Sequence, residues 1–276
     1  MNRKQLIVIA GCLVVGVALF LAPRTSSTEQ KNEQATELVQ TSDKAFESQV
    51  ANVKKETSPS ALATIEFFES KVKASTGAAK VAWLDSLSSN WDKQMRPGIA
   101  AEYVFQKATI VKTAESWKEA GDRFLGLSRF FEGEDKSTIG IRAIECLENA
   151  KKLDANDINI KTQLGVAYVE TSQEPMKGIM LLREAVKQDS TNIDAQLNLG
   201  FFSMQSAQYD KAVLRFKKVI LLKPELTEAR LYLSDALLGE GKKEEAKAEL
   251  LKIKQLTKDT LLLNEAKARL HQIKTN

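Results

Sequence analysis

Residues 114–257 repeat a pattern of small and large side chains with a period of about 34 residues, and no other feature of the chain restricts its fold as strongly. The clearest unit, 193–226, carries Leu199-Gly200, Tyr209, Ala212, Phe216 and Pro224. The unit before it, 158–192, has Leu164-Gly165, Tyr168, Gly178, Leu182 and Ala185, with one extra residue around Glu174-Pro175. The unit after it, 227–257, has Leu233-Ser234, Leu237, Gly241, Ala246, Leu250 and Ile253. Residues 114–157 read as an expanded unit, with Trp117, Ala120-Gly121 and Phe124 in one half and Ala143, Leu147 and Ala150 in the other. About ten additional residues, around Phe131-Glu132-Gly133-Glu134-Asp135, separate those halves.

The physical meaning of the pattern is a pair of closely crossing helices. Gly121, Gly165 and Gly200 remove a side chain where two antiparallel helices approach, and Gly178, Ala212 and Ala246 do so from the opposite helix. Large apolar residues fill the space beside them, and Pro224 stops a second helix so that the chain turns into the next pair. No single pair buries its own apolar face, so the units must stack.

With these residues in register the chain resembles the tetratricopeptide-repeat family, and its layout is similar to membrane-anchored envelope proteins of that family in Bacteroidetes-type bacteria. The resemblance implies an all-α, right-handed superhelical solenoid of antiparallel helix pairs that binds proteins or peptides in a groove lined by the first helix of each repeat. Transferred to this sequence, the groove positions are Asn159, Thr162, Val166, Val169 and Glu170; Asp194, Leu197, Phe201, Met204 and Gln205; and Glu228, Leu231, Asp235, Leu238 and Gly239. Such a groove is apolar in its middle, and Phe201 with Met204 are its expected anchors. The competing reading is that these two side chains contact the neighbouring repeat. A clamp for a terminal carboxylate, as in chaperone-binding members, is not expected: the corresponding positions hold Thr162, Val166, Asn198, Glu228 and Tyr232, of which only Asn198 agrees.

Outside the repeats the chain divides into 1–24, 25–57, 58–113 and 258–276. The uncharged run Leu6–Ala22, between Arg3-Lys4 and Pro23-Arg24, has the length and composition of a transmembrane signal anchor. Phe20 and Pro23 make a poor cleavage site. Ile9-Ala10-Gly11-Cys12 resembles a lipobox and leaves lipidation at Cys12 as the alternative. The positive charges before the span put the N-terminus in the cytoplasm and the remainder on the far side, the periplasm in a bacterium. Residues 25–34 are polar and read as a tether, after which Leu38, Phe46 and Val50 begin a helical pattern. Ser58-Pro59-Ser60 starts a helix carrying Leu62, Ile65, Phe67, Phe68 and Val72. A further pair, about 78–94 and 98–112, is parted by Arg96-Pro97-Gly98; Ala101, Phe105 and Ala108 make it a degenerate repeat, although Ser88-Ser89 is a poor match. Leu262, Ala266, Leu270 and Ile273 give the stripe of a capping helix, with Lys267, Arg269 and Lys274 at polar positions.

Charge and chemistry-bearing residues narrow the function. The 40 basic and 36 acidic residues are interspersed, which argues against nucleic acid as a partner. His271 is the only histidine and sits on the terminal helix, so a surface role is expected. Cys146 reads as a small buried hydrophobe, and Glu244-Glu245 and Glu132/Glu134/Asp135 as solvated charge. Gly239-Glu240-Gly241-Lys242 lacks phosphate-loop spacing and reads as an inter-helix turn. No catalytic, metal or cofactor site is expected. The chain reads as a membrane-tethered scaffold in a cell-envelope complex, with self-association through a groove filled by its own N-terminal region or by another copy as the alternative.

Overall fold

A computed structural model of the chain describes residues 46–275, with side chains to Ile273. The proposed anchor at 6–22, Cys12, the tether at 25–34 and Leu38 lie outside the described residues. No helix among the described residues is long and apolar enough to cross a membrane.

The described residues fall into two compact units divided after Leu62. The first holds α1, helical over 46–56, and the start of α2 (Pro59–Ala74). The second holds the rest of α2, then α3 (Gly77–Lys93), α4 (Pro97–Val111), α5 (Ala114–Ser128), α6 (Gly133–Leu153), α7 (Ile158–Thr171), α8 (Pro175–Gln188), α9 (Ile193–Gln205), α10 (Tyr209–Leu222), α11 (Glu228–Gly239), α12 (Lys243–Leu256) and α13 (Thr260–Thr275). There is no strand among the described residues. Each helix of the series packs on the next from α3 onward, so the second unit is a stack of helix pairs, an all-α solenoid.

Local chemistry sets the helix ends. The Asp157 carboxylate accepts from the backbone N–H of Asn159 (2.7 Å) and Ile160 (3.0 Å) at the start of α7, and the Asn192 side chain accepts from Ala195 N–H (2.8 Å) at the start of α9. Thr113 and Ser116 form a reciprocal capping box on α5. Pro97 and Pro175 occupy first turns, where the missing N–H costs nothing. Pro224 follows the end of α10 as the sequence requires, and Gly241, at φ +83°, makes the turn between α11 and α12.

The close crossings are real. A Cβ on Gly178 would lie 2.3 Å from the carbonyl oxygen of Gly165, and one on Gly165 would lie 2.8 Å from Leu182 Cγ, so α7 and α8 touch backbone to backbone. Gly121 faces Leu147 and Gly200 faces Phe216 in the same way, at 2.6 Å each. Two contacts of this kind escaped the sequence pattern: Gly140 against Thr171, and Gly239 against the ring of Tyr209. In the α3–α4 pair, no glycine stands at the crossing, and Ser88 of α3 faces α4. It is buried and donates to the Ala100 carbonyl (3.0 Å), which ties α3 to α4.

The additional residues of the expanded repeat lie mostly within a helix. The extra residues do not form a long connection between helices. They are taken up largely by α6, which starts at Gly133 and runs 21 residues, with Glu134 and Asp135 in its first turn, where carboxylates favour the helix dipole.

Candidate protein-interaction site

One helix, α9, joins two parts of the core. Its Ala195, Leu199 and Phe202 belong to an apolar cluster that runs back through Leu182, Leu164 and Leu147 to Ala101. Its Leu197, Phe201 and Met204 pack on a second cluster built from Ala212, Val213, Phe216, Leu233, Ala236 and Leu237. Positions two apart on a helix lie roughly 200° around its axis, so the two sets occupy opposite faces. A third cluster, Leu231, Leu250, Ile253, Leu262 and Ala266, closes the stack against α13.

Phe201 is half-buried. Its ring lies 4.8 Å from that of Tyr232 in an edge-to-face arrangement and 5.5 Å from that of Phe216. Met204 and Leu197 flank it, and Leu238 of α11 packs on the same cluster. The structure therefore puts the expected anchors against the following repeat, with part of each surface still open. Tyr232, considered in the sequence only as a failed clamp position, is the residue that closes this aromatic group.

The other groove positions separate into three groups. Thr162, Val166 and Leu231 are buried, at 2%, 2% and 3% exposure, and the expectation that they line an open groove needs correcting. Thr162 donates to the Ile158 carbonyl (2.8 Å), Val166 joins the first apolar cluster, and Leu231 lies under the capping helix. Val169 is half-buried on the first cluster, where it borders Gly178. Asn159, Asp194, Gln205 and Glu228 are exposed.

Two carboxylates of this face are already held by neighbouring helices. Glu170 accepts from Arg129 (3.3 Å), and Asp235 accepts from both Nε and Nη2 of Arg269 (2.8 and 3.1 Å), which also reaches Glu265. These pairs put held carboxylates on the first helices α7 and α11, while Leu197, Phe201 and Met204 of α9 and Leu238 of α11 share one apolar cluster. Arg269, read from sequence as a polar position of the cap, is also an inter-helix tie.

The chemistry-bearing residues lie apart from this face. Cys146 is fully buried, and burial pushes its thiol up, away from the reactive thiolate. His271 is exposed on α13. Among the described residues no group of His, Cys, Asp and Glu is placed to hold a metal ion.

No protein-family model matches the chain, and no curated protein matches it by sequence. Solved structures do. A tetratricopeptide-repeat protein from Parabacteroides merdae ATCC 43184 superposes with a TM-score of 0.59 at 13% identity, covering 86% of this chain and 88% of that one. MamA (41-end) from Desulfovibrio magneticus RS-1 gives 0.54 at 18% identity, covering 67% of this chain and all of the other. A thermophilic repeat protein from Thermus thermophilus gives 0.51 at 16%, over 71% of this chain and all of the other. At these identities the likeness concerns architecture, and it agrees with the glycine crossings and the stacked pairs: the chain has the tetratricopeptide-repeat fold.

Proposed function

We propose that this protein is a non-catalytic scaffold that holds a protein or peptide partner on the first-helix face of its solenoid, centred on α9. The observation carrying this reading is the half-open apolar strip of Leu197, Phe201, Met204 and Leu238, with ion-paired carboxylates on the first helices α7 and α11. An apolar centre with a polar rim is the usual anatomy of an interaction surface. In the full reading, residues 6–22 tether the scaffold to the inner membrane, the N-terminus is cytoplasmic and the repeats work on the periplasmic side in a cell-envelope complex. The uncharged run and the charges that flank it support that part.

The test places a photo-crosslinking residue at position 205 or 194, both exposed on α9, in the full chain in intact cells. The same residue at position 184, exposed on α8, serves as control. A recurrent adduct from 205 and 194 that is absent from 184 is expected. Absence of any adduct, or the same adducts from all three positions, would sink the proposal. Adducts consisting of a second copy would identify the face as a self-association surface instead. Alkaline extraction of membranes addresses the tether: the full chain stays with the membrane and a chain lacking 6–22 does not.

A further inference from the structure

A second surface lies on the other side of α9. Between α8 and α10 the stack leaves a cavity of about 450 Å³. Its apolar lining includes Ile179, Val186, Leu199 and Phe202, and its charged lining consists of Arg183, Lys211, Arg215 and Lys218, with no carboxylate among the lining residues. This volume falls within the ~300–1,000 Å³ range of ligand pockets.

The two arginines of this cluster differ from five others among the described residues. Arg123, Arg129, Arg142, Arg230 and Arg269 each hold a carboxylate of the described residues. Arg183 and Arg215 hold none among them. Arg215 is instead fixed from below: its Nη1 donates to Gln196 Oε1 (2.8 Å), and Gln196 Nε2 donates to the Ser190 carbonyl (3.0 Å). Gln196 is itself buried, at 3% exposure, so the guanidinium rests on a rigid support. Burial, and then the charge of Arg183, both disfavour the cationic form of Arg215, so a bound anion would relieve an unfavourable arrangement. At the edge of the cavity Leu214 is 68% exposed, and Met180 on α8 is 60% exposed.

We propose that this cavity is a second binding site, for an acidic peptide segment of a partner protein that inserts an apolar side chain between its carboxylates. The carboxylates pair with Arg183, Arg215 and Lys218 while the apolar side chain enters against Leu199 and Phe202. A small inorganic anion would leave the apolar floor empty, and a nucleic acid would find neither an extended basic track nor an aromatic stacking platform here. The site uses the face of α9 opposite the strip described above, so both surfaces can be filled together and either can fail without the other.

The experiment is fluorescence anisotropy on the full 276-residue chain with a labelled peptide EELFEE, its neutral counterpart QQLFQQ, and a single-stranded oligonucleotide of equal charge. At about 50 mM salt the acidic peptide binds, and the double variant Arg183→Glu, Lys218→Glu weakens it by about tenfold or more. Lys254→Glu, an exposed lysine on α12, leaves binding unchanged. Arg183→Gln, a change in an exposed side chain that holds no carboxylate among the described residues, gives an intermediate loss and keeps the test open if the double variant does not fold. Failure of EELFEE to bind, equal binding by QQLFQQ or by the oligonucleotide, or undiminished binding in both variants would overturn the proposal. Binding that appears only when residues 25–45 are removed would also overturn it, in favour of a part of the chain itself as the occupant.

Discussion

Gly178 and Gly126 are both helical glycines, yet their substitution has opposite expected effects. Alanine at 178 places a methyl group 2.3 Å from the Gly165 carbonyl oxygen, a backbone atom that moves only if α7 and α8 separate. Gly178→Ala should destabilise the chain by about 1–3 kcal/mol through overpacking. At Gly126 nothing lies within 4 Å of the added methyl, and Gly126→Ala should stabilise by up to about 1 kcal/mol through helix propensity. Urea denaturation of both variants, each against wild type, gives the two signs directly; a loss of stability in Gly126→Ala would show that this crossing rule is incomplete. A third residue prediction concerns Phe201. Because its ring contacts Tyr232 and Phe216, Phe201→Ala should cost about 2–3 kcal/mol of stability, so a binding defect in that variant is interpretable only beside its unfolding curve. The crossing glycines were legible because a missing side chain repeated at one position has a single mechanical reason. Phe201 was not, because whether a half-exposed aromatic faces a groove or a neighbour depends on what the next repeat supplies, here Tyr232.

At the scale of the helix, the ion pairs between elements matter more than those within one. Arg230 of α11 and Glu249 of α12 meet at 2.6 Å with both side chains only 15% exposed, and Lys252 adds a second donor to Glu249 at 2.7 Å. Burial alone would raise the Glu249 carboxyl; Lys252 and Arg230 outweigh it and hold the group below the usual carboxylate range. The sign follows from linkage. A depressed carboxylate stabilises the fold above its unfolded value, about 4.3, and that contribution disappears as the pH falls through the lower folded value. Glu249→Gln should therefore lose about 1 kcal/mol at neutral pH and show a shallower decline of stability in acid than the wild type. Thermal melts from pH 7 to pH 3 check this, and parallel curves for the two proteins would remove Glu249 from the account. Most helices could be placed from capping residues and apolar spacing. The length of α6 could not: Phe131-Glu132-Gly133-Glu134-Asp135 looks like loop composition, but Gly133 and the following acids are equally suited to opening a helix. The tie made by Arg269 was not legible for a related reason, since a helical stripe shows which residues are apolar and does not show where a long side chain on its margin reaches.

For the stack as a whole, stability is shared between neighbours, so damage at one end should remain near that end. Helix α13 covers Leu231, Leu250 and Ile253 with Leu262 and Ala266, and it ties back to α11 through Arg269 and Asp235. Deleting residues 258–276 returns that apolar surface to water and releases Asp235 into the first-helix face. The expected loss is at least ~3 kcal/mol from burial of the large side chains alone. Hydrogen exchange should locate it: protection falls in α11 and α12, while the α5–α6 and α7–α8 pairs, whose crossings at Gly121 and Gly165 are untouched, keep theirs. Uniform loss along the chain would mean that the repeats unfold as one cooperative block, and the nearest-neighbour picture would have to be abandoned. The bare end also presents a new apolar patch, which should appear in sedimentation as concentration-dependent association. Arg269→Gln separates the two roles of the cap, since it frees Asp235 and leaves Leu262 and Ala266 in place. That variant should keep the protection of α12 while changing the electrostatics of the proposed partner face, and crosslinking from position 205 then reports on recognition without the confounding loss of the end of the solenoid.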